Sequence, residues 1–341
     1  MARLGDYGIV DYTPLMAIVP RKKNFLQELG IFPEDSQANY ADTDFIEFER
    51  EEKGVTKMYN VKRGADRQFA GDEKAQKVML QAPLASLDKV TKTHEVQNFR
   101  QYGEENAPAT VERLVENRVA HIQRSHEEYL ADVQYHALIK NKVYAFDKDG
   151  NEITGLAKDY STLWSAPRNT ATMDLTNASV DPIKSLSAGR TNIIQNMGGN
   201  ASSVNMVYIC NSAQFDAIVS HALVKASYDE YSDRQESVRL GLDVTRINRV
   251  FKAPNSGLTI VEDVTNEIAD TQGFFLPVGL PEFTAAAFAP ADVIEFANKP
   301  SEGSYLFLKE NHRSVVIESE VAYIVAILRP ELITDFTVTL A

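Results

Sequence analysis

The stretch from Ala109 to Lys140 reads ATVERLVENRVAHIQRSHEEYLADVQYHALIK, and the interpretation of the whole chain starts from it. Apolar residues recur along it at steps of three and four, and charged residues occupy the other positions, which is the pattern of an amphipathic α-helix. Pro108 stands just before the run, where a proline suits a helix start, and the next glycine is Gly150. A helix of this length would span roughly 45–50 Å at ~1.5 Å per residue. The sequence therefore predicts one long spine helix over residues 109–140.

A helix with a single apolar face must bury that face against another layer, so we expect a sheet along it. A coiled coil and a helical bundle are the alternatives. The apolar spacing is closer to 3.6 than to a strict heptad, and no second helix of similar length is indicated, which favours the sheet. The run VAYIVAIL at Val321–Leu328 is nearly all apolar, and we expect it to form a strand packed along the spine helix.

Length, charge and cysteine content exclude several classes of protein. The chain has 341 residues, a formal net charge of −13 and one cysteine, Cys210. This length allows two domains, the acidic balance makes the whole chain a poor match for nucleic acid, and one cysteine cannot form a disulfide framework. No apolar run reaches the ~18 residues of a membrane-spanning helix. Met1–Pro20 lacks the features of a secretory signal, so we expect none.

Between residues 45 and 96, two extended stretches flank a polar centre. Residues 62–77, KRGADRQFAGDEKAQK, are strongly charged and contain two glycines, and Phe69 is almost the only residue there that could be buried. A loop of this size is uncommon in a compact domain unless it has a function. The sequence predicts a long hairpin whose tip is ordered by a neighbouring chain, and a mobile surface loop is the alternative.

The middle of the chain has the pattern of an α/β unit. Asp181 and Pro182 are suited to the start of a helix, which the glycines after Met197 would end. The apolar run VNMVYIC at residues 204–210 is typical of a strand buried on both faces, and Asn211 is suited to cap a following helix. Helix, buried strand and helix in this order predict a sheet with helices packed on it.

Two shorter segments carry weaker patterns. Residues 160–177 are rich in Ser, Thr and Asn and are expected to form a loop. Residues 143–154 are expected to form a small hairpin around Asp147–Gly150. The D-x-D-G string in that turn lacks the glycine and glutamate spacing of a calcium-binding EF-hand loop.

No catalytic or metal-binding motif is present in the sequence. The six histidines form no H-E-x-x-H pair, and there is no C-x-x-C, G-x-S-x-G, P-loop or G-x-G-x-x-G pattern. Cys210 ends a predicted buried strand, which favours inert core packing over a nucleophile. We therefore expect no enzymatic activity, no cofactor and no metal site.

Lys and Arg cluster locally with acidic residues interleaved, which favours contacts between subunits over a nucleic-acid groove. The candidate inter-subunit contact residues are Arg21, Lys22, Lys62, Arg63, Arg67, Phe69, Glu73, Arg234 and Glu236. Exposed ion pairs are individually weak, so association would have to come from many repeated contacts.

The order of arm, long hairpin, spine helix, small hairpin, α/β unit and returning C-terminal strands resembles the major capsid proteins of tailed bacteriophages with the Hong Kong 97-type fold. Within them it is most similar to the lambda-like group. Besides the order, the resemblance is carried by DKVTKTHEV at 88–96, KVYAFDKDGNEITG at 142–155 and RPELITDFTVTLA at 329–341. It covers essentially the whole chain.

The resemblance implies an α+β fold and a division of the chain into regions. The N-terminal arm would be residues 1–41 and would reach another subunit, with an ordinary N-terminal subdomain as the alternative. The extended E-loop would lie in 42–92. The peripheral domain would combine 93–181 with 304–341, and the axial domain would be 182–303. The axial domain would gather around five-fold and six-fold axes.

The resemblance also implies function and partners. Copies would self-assemble as pentamers and hexamers into an icosahedral head shell that encloses double-stranded DNA without sequence-specific binding. A separate scaffolding protein, a portal protein and, as an open option, a decoration protein would be partners. The protein would reside in the virion, and in the host cytoplasm during assembly, with no membrane contact. Two alternatives are an encapsulin-like nanocompartment shell and a soluble α/β binding protein or enzyme.

Overall fold

The computed structural model describes residues 9–13, 24–52, 60, 74–92, 94–95, 111–197, 204–229, 248–253, 257–265 and 267–340. The helices in these ranges are α1 (Phe25–Glu28), α2 (Val111–Lys140), α3 (Tyr160–Leu163), α4 (Pro182–Met197), α5 (Ser212–Ser220) and α6 (Ala222–Asp229). The strands are β1 (Ile9–Asp11), β2 (Asn39–Tyr40), β3 (Phe45–Glu52), β4 (Lys74–Gln81), β5 (Leu84–Ser86), β6 (Lys89–Lys92), β7 (Asn169–Asp174), β8 (Asn205–Asn211), β9 (Val250–Lys252), β10 (Thr259–Asp263), β11 (Gln272–Val278), β12 (Thr284–Ala289), β13 (Tyr305–Asn311), β14 (Ser314–Ile327) and β15 (Thr334–Thr339).

The first sheet is built around β14, the longest described strand. Its hydrogen-bonded order is β1-β13-β14-β12-β2, and β5 and β6 also pair with β14. All of these pairs are antiparallel except β12 with β2. The second half of β14 is nearly all apolar and buried, as the sequence predicts for a strand covered on both faces.

The predicted spine helix is confirmed as α2, and its apolar stripe lies on β14. The buried apolar residues of α2 are Val119, Ile122, Leu130, Val133, Tyr135, Ala137 and Leu138. Polar side chains set the register across this contact: Gln134 Nε2 donates to the Tyr323 hydroxyl at 2.9 Å, and His126 lies between the hydroxyls of Ser304 and Ser319 at 3.3 and 3.2 Å. The helix therefore packs on a sheet, as predicted, and not on another helix as a coiled coil or a helical bundle would require.

The second sheet is mixed and has the order β7-β15-β11-β8-β10-β9. β8 is its buried centre, parallel to β10 and antiparallel to β11, and Val207–Asn211 are buried as predicted. Both predicted helix starts are confirmed, because Asp181 accepts a hydrogen bond from the Ile183 amide and Asn211 accepts one from the Gln214 amide.

Gly189 lies in the middle of α4 because the helix passes very close to β11. A Cβ atom at Gly189 would lie 2.6 Å from the ring of Phe275, which is fully buried. In an exposed helix Gly→Ala gains up to about 1 kcal/mol. Here we expect Gly189→Ala to destabilise the subunit by about 1–3 kcal/mol, since overpacking a buried ring outweighs the propensity gain.

Urea unfolding of Gly189→Ala measures this effect, with Gln195→Ala, at an exposed position of the same helix, as the control. We expect the control to be neutral or slightly stabilising. A gain in stability for Gly189→Ala would contradict the close packing of α4 on β11.

The two sheets divide the chain differently from the boundaries that the resemblance implies. β7 and β15 fall in the ranges 93–181 and 304–341, yet both belong to the second sheet, where they pair in parallel. Conversely, β12 falls in the range 182–303 and pairs with β14 of the first sheet. Strand pairing is long-range, so a boundary drawn along the sequence does not follow it.

Residues 24–41, which the sequence assigns to an arm, pack against their own chain. Asn24 caps α1 and donates to the Gln134 side chain at 2.9 Å. Leu26, Ile31 and Phe32 are at most 2% exposed and belong to the main core. This stretch therefore packs into its own subunit, and β1 also pairs with β13 of the same chain, so an arm that reaches another subunit stays a proposal for the rest of residues 1–23.

Of the two expectations for short segments, one needs correction and the other is confirmed. Residues 160–177 were expected to form a loop, but they contain α3 and β7. Residues 143–154 form the expected turn, in which Asp147 Oδ1 accepts hydrogen bonds from the amides of Asp149 and Asn151. The antiparallel bridge of Phe146 with Glu152 and two backbone hydrogen bonds, Asp147 N–H to Asn151 O and Ile153 N–H to Ala145 O, join the two sides. The expected hairpin is therefore present as a very short one.

Asp132 faces other carboxylates on the outer side of α2. Burial, and the negative charges of Glu267 and Glu128, raise the pKa of Asp132 above its ordinary value. The folded state thus binds this proton more tightly than the unfolded chain does. The stabilisation from the neutral form is complete below the unfolded pKa and is lost as the pH rises through the folded pKa.

We therefore expect Asp132→Asn to raise the free energy of unfolding at pH 7, and the gain to shrink toward pH 4. Urea titrations at the two pH values measure it. Glu116→Gln is the control, because it removes a carboxylate charge from an exposed position of the same helix. Equal stability of Asp132→Asn and the unaltered protein at pH 7 would refute the expectation.

Candidate inter-subunit surfaces

The long hairpin is formed by β3 and β4, which pair antiparallel over eight residue pairs from Phe45↔Gln81 to Glu52↔Lys74. The predicted extended flanks are confirmed. Because side chains alternate along a strand, one face of the hairpin turns inward and the other outward. Ile46, Phe48 and Leu80 on the inward face are buried in the main core. They hold the root of the hairpin to the body of the subunit.

The outward face of the hairpin root exposes two large apolar side chains. Phe45 is 52% exposed and Met79 is 65% exposed. They are diagonal neighbours on the two strands, because Phe45 is opposite Gln81 and Met79 is opposite Glu47. Exposed apolar side chains that lie together, with charged neighbours, are typical of a surface that contacts another protein.

Charges surround this apolar pair. Lys77 Nζ lies 3.1 Å from Glu47 Oε1 and 3.8 Å from Glu49 Oε2 on the same face. The hydrogen bond to Glu47 and the charges of both carboxylates raise the pKa of Lys77, which keeps it cationic at neutral pH. These pairs are exposed, so they contribute little to stability and mainly give the face its charge pattern.

An ion-pair network lies where the hairpin leaves the body. Arg50 on the inward side of β3 donates to Glu331 Oε1 at 2.8 Å and to the Leu328 carbonyl oxygen at 3.4 Å. Arg329 Nε donates to the same Glu331 oxygen at 3.1 Å, and its NH2 group donates to the Asn196 carbonyl at the end of α4. The side chains of Arg50 and Glu331 are only 10% and 14% exposed. The network thus joins the hairpin, the crossover between the sheets and α4.

The nine candidate contact residues predicted from the sequence lie outside the described residues, so their role stays a prediction. They are Arg21, Lys22, Lys62, Arg63, Arg67, Phe69, Glu73, Arg234 and Glu236. Sequence reasoning did not identify Arg50 or Glu331. A signal for Arg50 was present, because it continues the inward series Ile46, Phe48 as a cation on an apolar face.

The described residues offer no obvious reaction chemistry. Within the described ranges, no group of three or more His, Cys, Asp or Glu side chains is placed to hold a metal ion. Burial raises the pKa of the Cys210 thiol well above its ordinary value, which disfavours a reactive thiolate. Among the described helices, none is long and apolar enough to cross a membrane.

Comparison with solved structures identifies the fold. The mature capsid of bacteriophage PhiM1 matches with a TM-score of 0.53 and 12% identity, covering 95% of this chain and 89% of that chain. A putative capsid protein of an E. coli CFT073 prophage matches with a TM-score of 0.50 and 12% identity, covering 78% and 80% of the two chains. The architecture is therefore the Hong Kong 97-type fold of phage shell subunits.

Sequence comparison identifies the family. Residues 11–338 match the family model for phage major capsid protein E, and the chain belongs to this family. The major capsid protein of Pseudomonas phage KPP10 is 20% identical over 343 residues, covering 96% of each protein. The chain is a phage major capsid protein that forms the capsid shell, which places it in the virion in a structural role. The encapsulin-like alternative is not favoured.

Proposed function

We propose that copies of this chain self-assemble as pentamers and hexamers into an icosahedral head that encloses double-stranded DNA, with the long hairpin of each copy lying over its neighbour. The observation that carries the hairpin contact is the pair Phe45 and Met79, which the subunit leaves exposed beside an anchored root. In a shell, this apolar face would be buried against the adjacent copy.

The division of labour between the parts of the chain is also a proposal. The first sheet, which is built around β14, would form the peripheral domain together with α2. Most of residues 182–303, together with β7 and β15, would form the axial domain near the five-fold and six-fold axes. Parts of residues 1–23 other than β1, which pairs with β13 of the same chain, would reach another subunit. The net charge of −13 supports a container that does not bind DNA tightly, since a strongly attractive wall would hinder packing and release.

Assembly would take place in the host cytoplasm with a separate scaffolding protein and a portal protein, and a decoration protein would add further contacts. Negative-stain electron microscopy of the protein, expressed alone and then together with the neighbouring genes, tests the proposal. We expect closed shells of uniform diameter. A monodisperse monomer or dimer under every condition would overturn self-assembly, and shells that hold protein cargo instead of DNA would overturn the genome container.

A further inference from the structure

The inward side of β3 changes chemistry at the point where the hairpin leaves the body of the subunit. Ile46 and Phe48 are buried at 3% and 5% exposure in the main core, and the next inward residue is Arg50. Apolar burial is non-directional and holds the root without specifying an angle. A guanidinium that donates to a carboxylate is directional, because its donors lie in a rigid plane.

The acceptor of Arg50 belongs to the crossover between the two sheets. Glu331 lies in the 3₁₀ turn Pro330–Leu332, which follows β14 and precedes β15. Its backbone carbonyl accepts hydrogen bonds from the side chains of Asn192 and Asn196 at 3.0 and 3.2 Å, so α4 holds this turn in place. Arg50 thus connects the hairpin to a turn that α4 also holds.

We propose that Arg50 is a positioning residue that sets, through Glu331, the direction in which the long hairpin leaves the subunit. With Arg50 in place, the outward face that carries Phe45 and Met79 is presented at one angle. The consequence for assembly rests on the proposed function, in which this face contacts a neighbouring copy. The positioning itself is a property of the single subunit.

The two partners of this ion pair are not equivalent. If Arg50 is removed, Glu331 Oε1 keeps its hydrogen bond from Arg329 at 3.1 Å, so no carboxylate is left without a cation. If Glu331 is removed, two arginines that are 10% and 20% exposed lose their shared acceptor. Arg50→Met should therefore alter the hairpin direction with little loss of stability, whereas Glu331→Gln should also lower the unfolding temperature.

The distance between two spin labels on the unassembled subunit measures the direction of the hairpin. Ala75→Cys on β4 and Gln195→Cys on α4 are exposed labelling sites, and Cys210 is fully buried. We expect pulsed electron paramagnetic resonance to give a narrow distance distribution for the otherwise unaltered protein and a broader or shifted one for Arg50→Met. Arg50→Lys should restore part of the narrow distribution, because Lys keeps the charge but not the second donor.

Lys77→Met is the matched control, since it removes an exposed ion pair from the outward face of the same hairpin. Its distribution should equal that of the unaltered protein. Equal distributions for Arg50→Met and the unaltered protein would overturn the positioning role. The same variants are then assayed for closed shells, and we expect loss of shells for Arg50→Met. Normal shells in a variant with a broadened distribution would overturn the link to assembly, whereas absence of shells from the unaltered protein would count against the proposed function alone.

Discussion

Replacement of residues 54–72 by a four-residue turn is expected to leave a folded subunit that no longer closes into shells. The core contacts of Ile46, Phe48 and Leu80 and the ladder from Phe45 to Glu52 remain in this variant, so the body should unfold at an unchanged temperature. The removed stretch contains few residues that could support a core of its own. Its loss should therefore affect association between copies and not the stability of one copy.

The charge of the removed stretch supplies a second reason. Residues 54–72 contain four cationic and two acidic side chains, in a chain whose formal net charge is −13. A locally cationic segment on an acidic protein is attracted to other copies of the same protein. Thermal unfolding and electron microscopy together measure the two expected effects.

In the control variant, residues 54–72 are replaced by an equally long stretch of Gly and Ser residues. This control separates the effect of the loop's length from the effect of its side chains. If side chains supply the contact, both variants fail to form shells. Normal shells from the short-turn variant would contradict the proposed contact of the hairpin with a neighbouring copy.

Arg168→Met is expected to produce a large loss of subunit stability, about 3 kcal/mol, because it removes a buried guanidinium together with its hydrogen bonds to two helix carbonyls and to a partly exposed carboxylate. The Arg168 side chain is 5% exposed and lies 3.3 Å from Asp335 Oδ1 on β15. It also donates to the carbonyl oxygens of Ala137 and Leu138, in the last turn of α2. The Ala137 carbonyl also accepts a hydrogen bond from the Asn141 amide at 3.1 Å, and a cation at this end of the helix is favoured by the helix dipole.

The partner explains the size of the effect. Burial raises the pKa of Asp335, and the charge of Arg168 opposes that rise. Without the guanidinium, the carboxylate, whose side chain is 36% exposed, would keep part of its hydration but lose its compensating charge. Arg168→Met combined with Asp335→Leu should therefore recover part of the lost stability.

Urea unfolding of the two variants measures these changes. Lys142→Met breaks an exposed pair with Glu152 at 3.0 Å and should cost at most about 1 kcal/mol, so it serves as the control. A loss for Arg168→Met as small as that of the control would show that Arg168 does not join the spine helix to the second sheet.

Local sequence patterns were sufficient to predict the elements with strong periodicity. The apolar stripe of α2 runs through 30 residues, and no tertiary contact is needed to read it. Local patterns also predicted the paired strands of the long hairpin, the buried strand β8 and the helix caps at Asp181 and Asn211. Each is encoded by residues that are close together in the chain.

Strand β7 and the ion-pair network of Arg50, Glu331 and Arg329 were not predictable in this way. The sequence NTATMD of β7 has the composition of a loop, and it becomes a strand because it pairs with β15 from the end of the chain. Context of this kind routinely overrides local propensity in strands. Arg50 and Glu331 are 281 residues apart, so neither position indicates the other without the fold.

The amino-acid pattern thus predicted the spine helix and a long hairpin with a polar centre, and the resemblance to a known family implied the class of fold. The tertiary structure alone decided which strands share a sheet, that residues 24–41 are core of their own subunit, and which charged groups connect the parts. The physical reason is the range of the interactions. Helix periodicity and capping act within a few residues, whereas strand pairing and buried ion pairs join segments whose proximity exists only after the chain has folded.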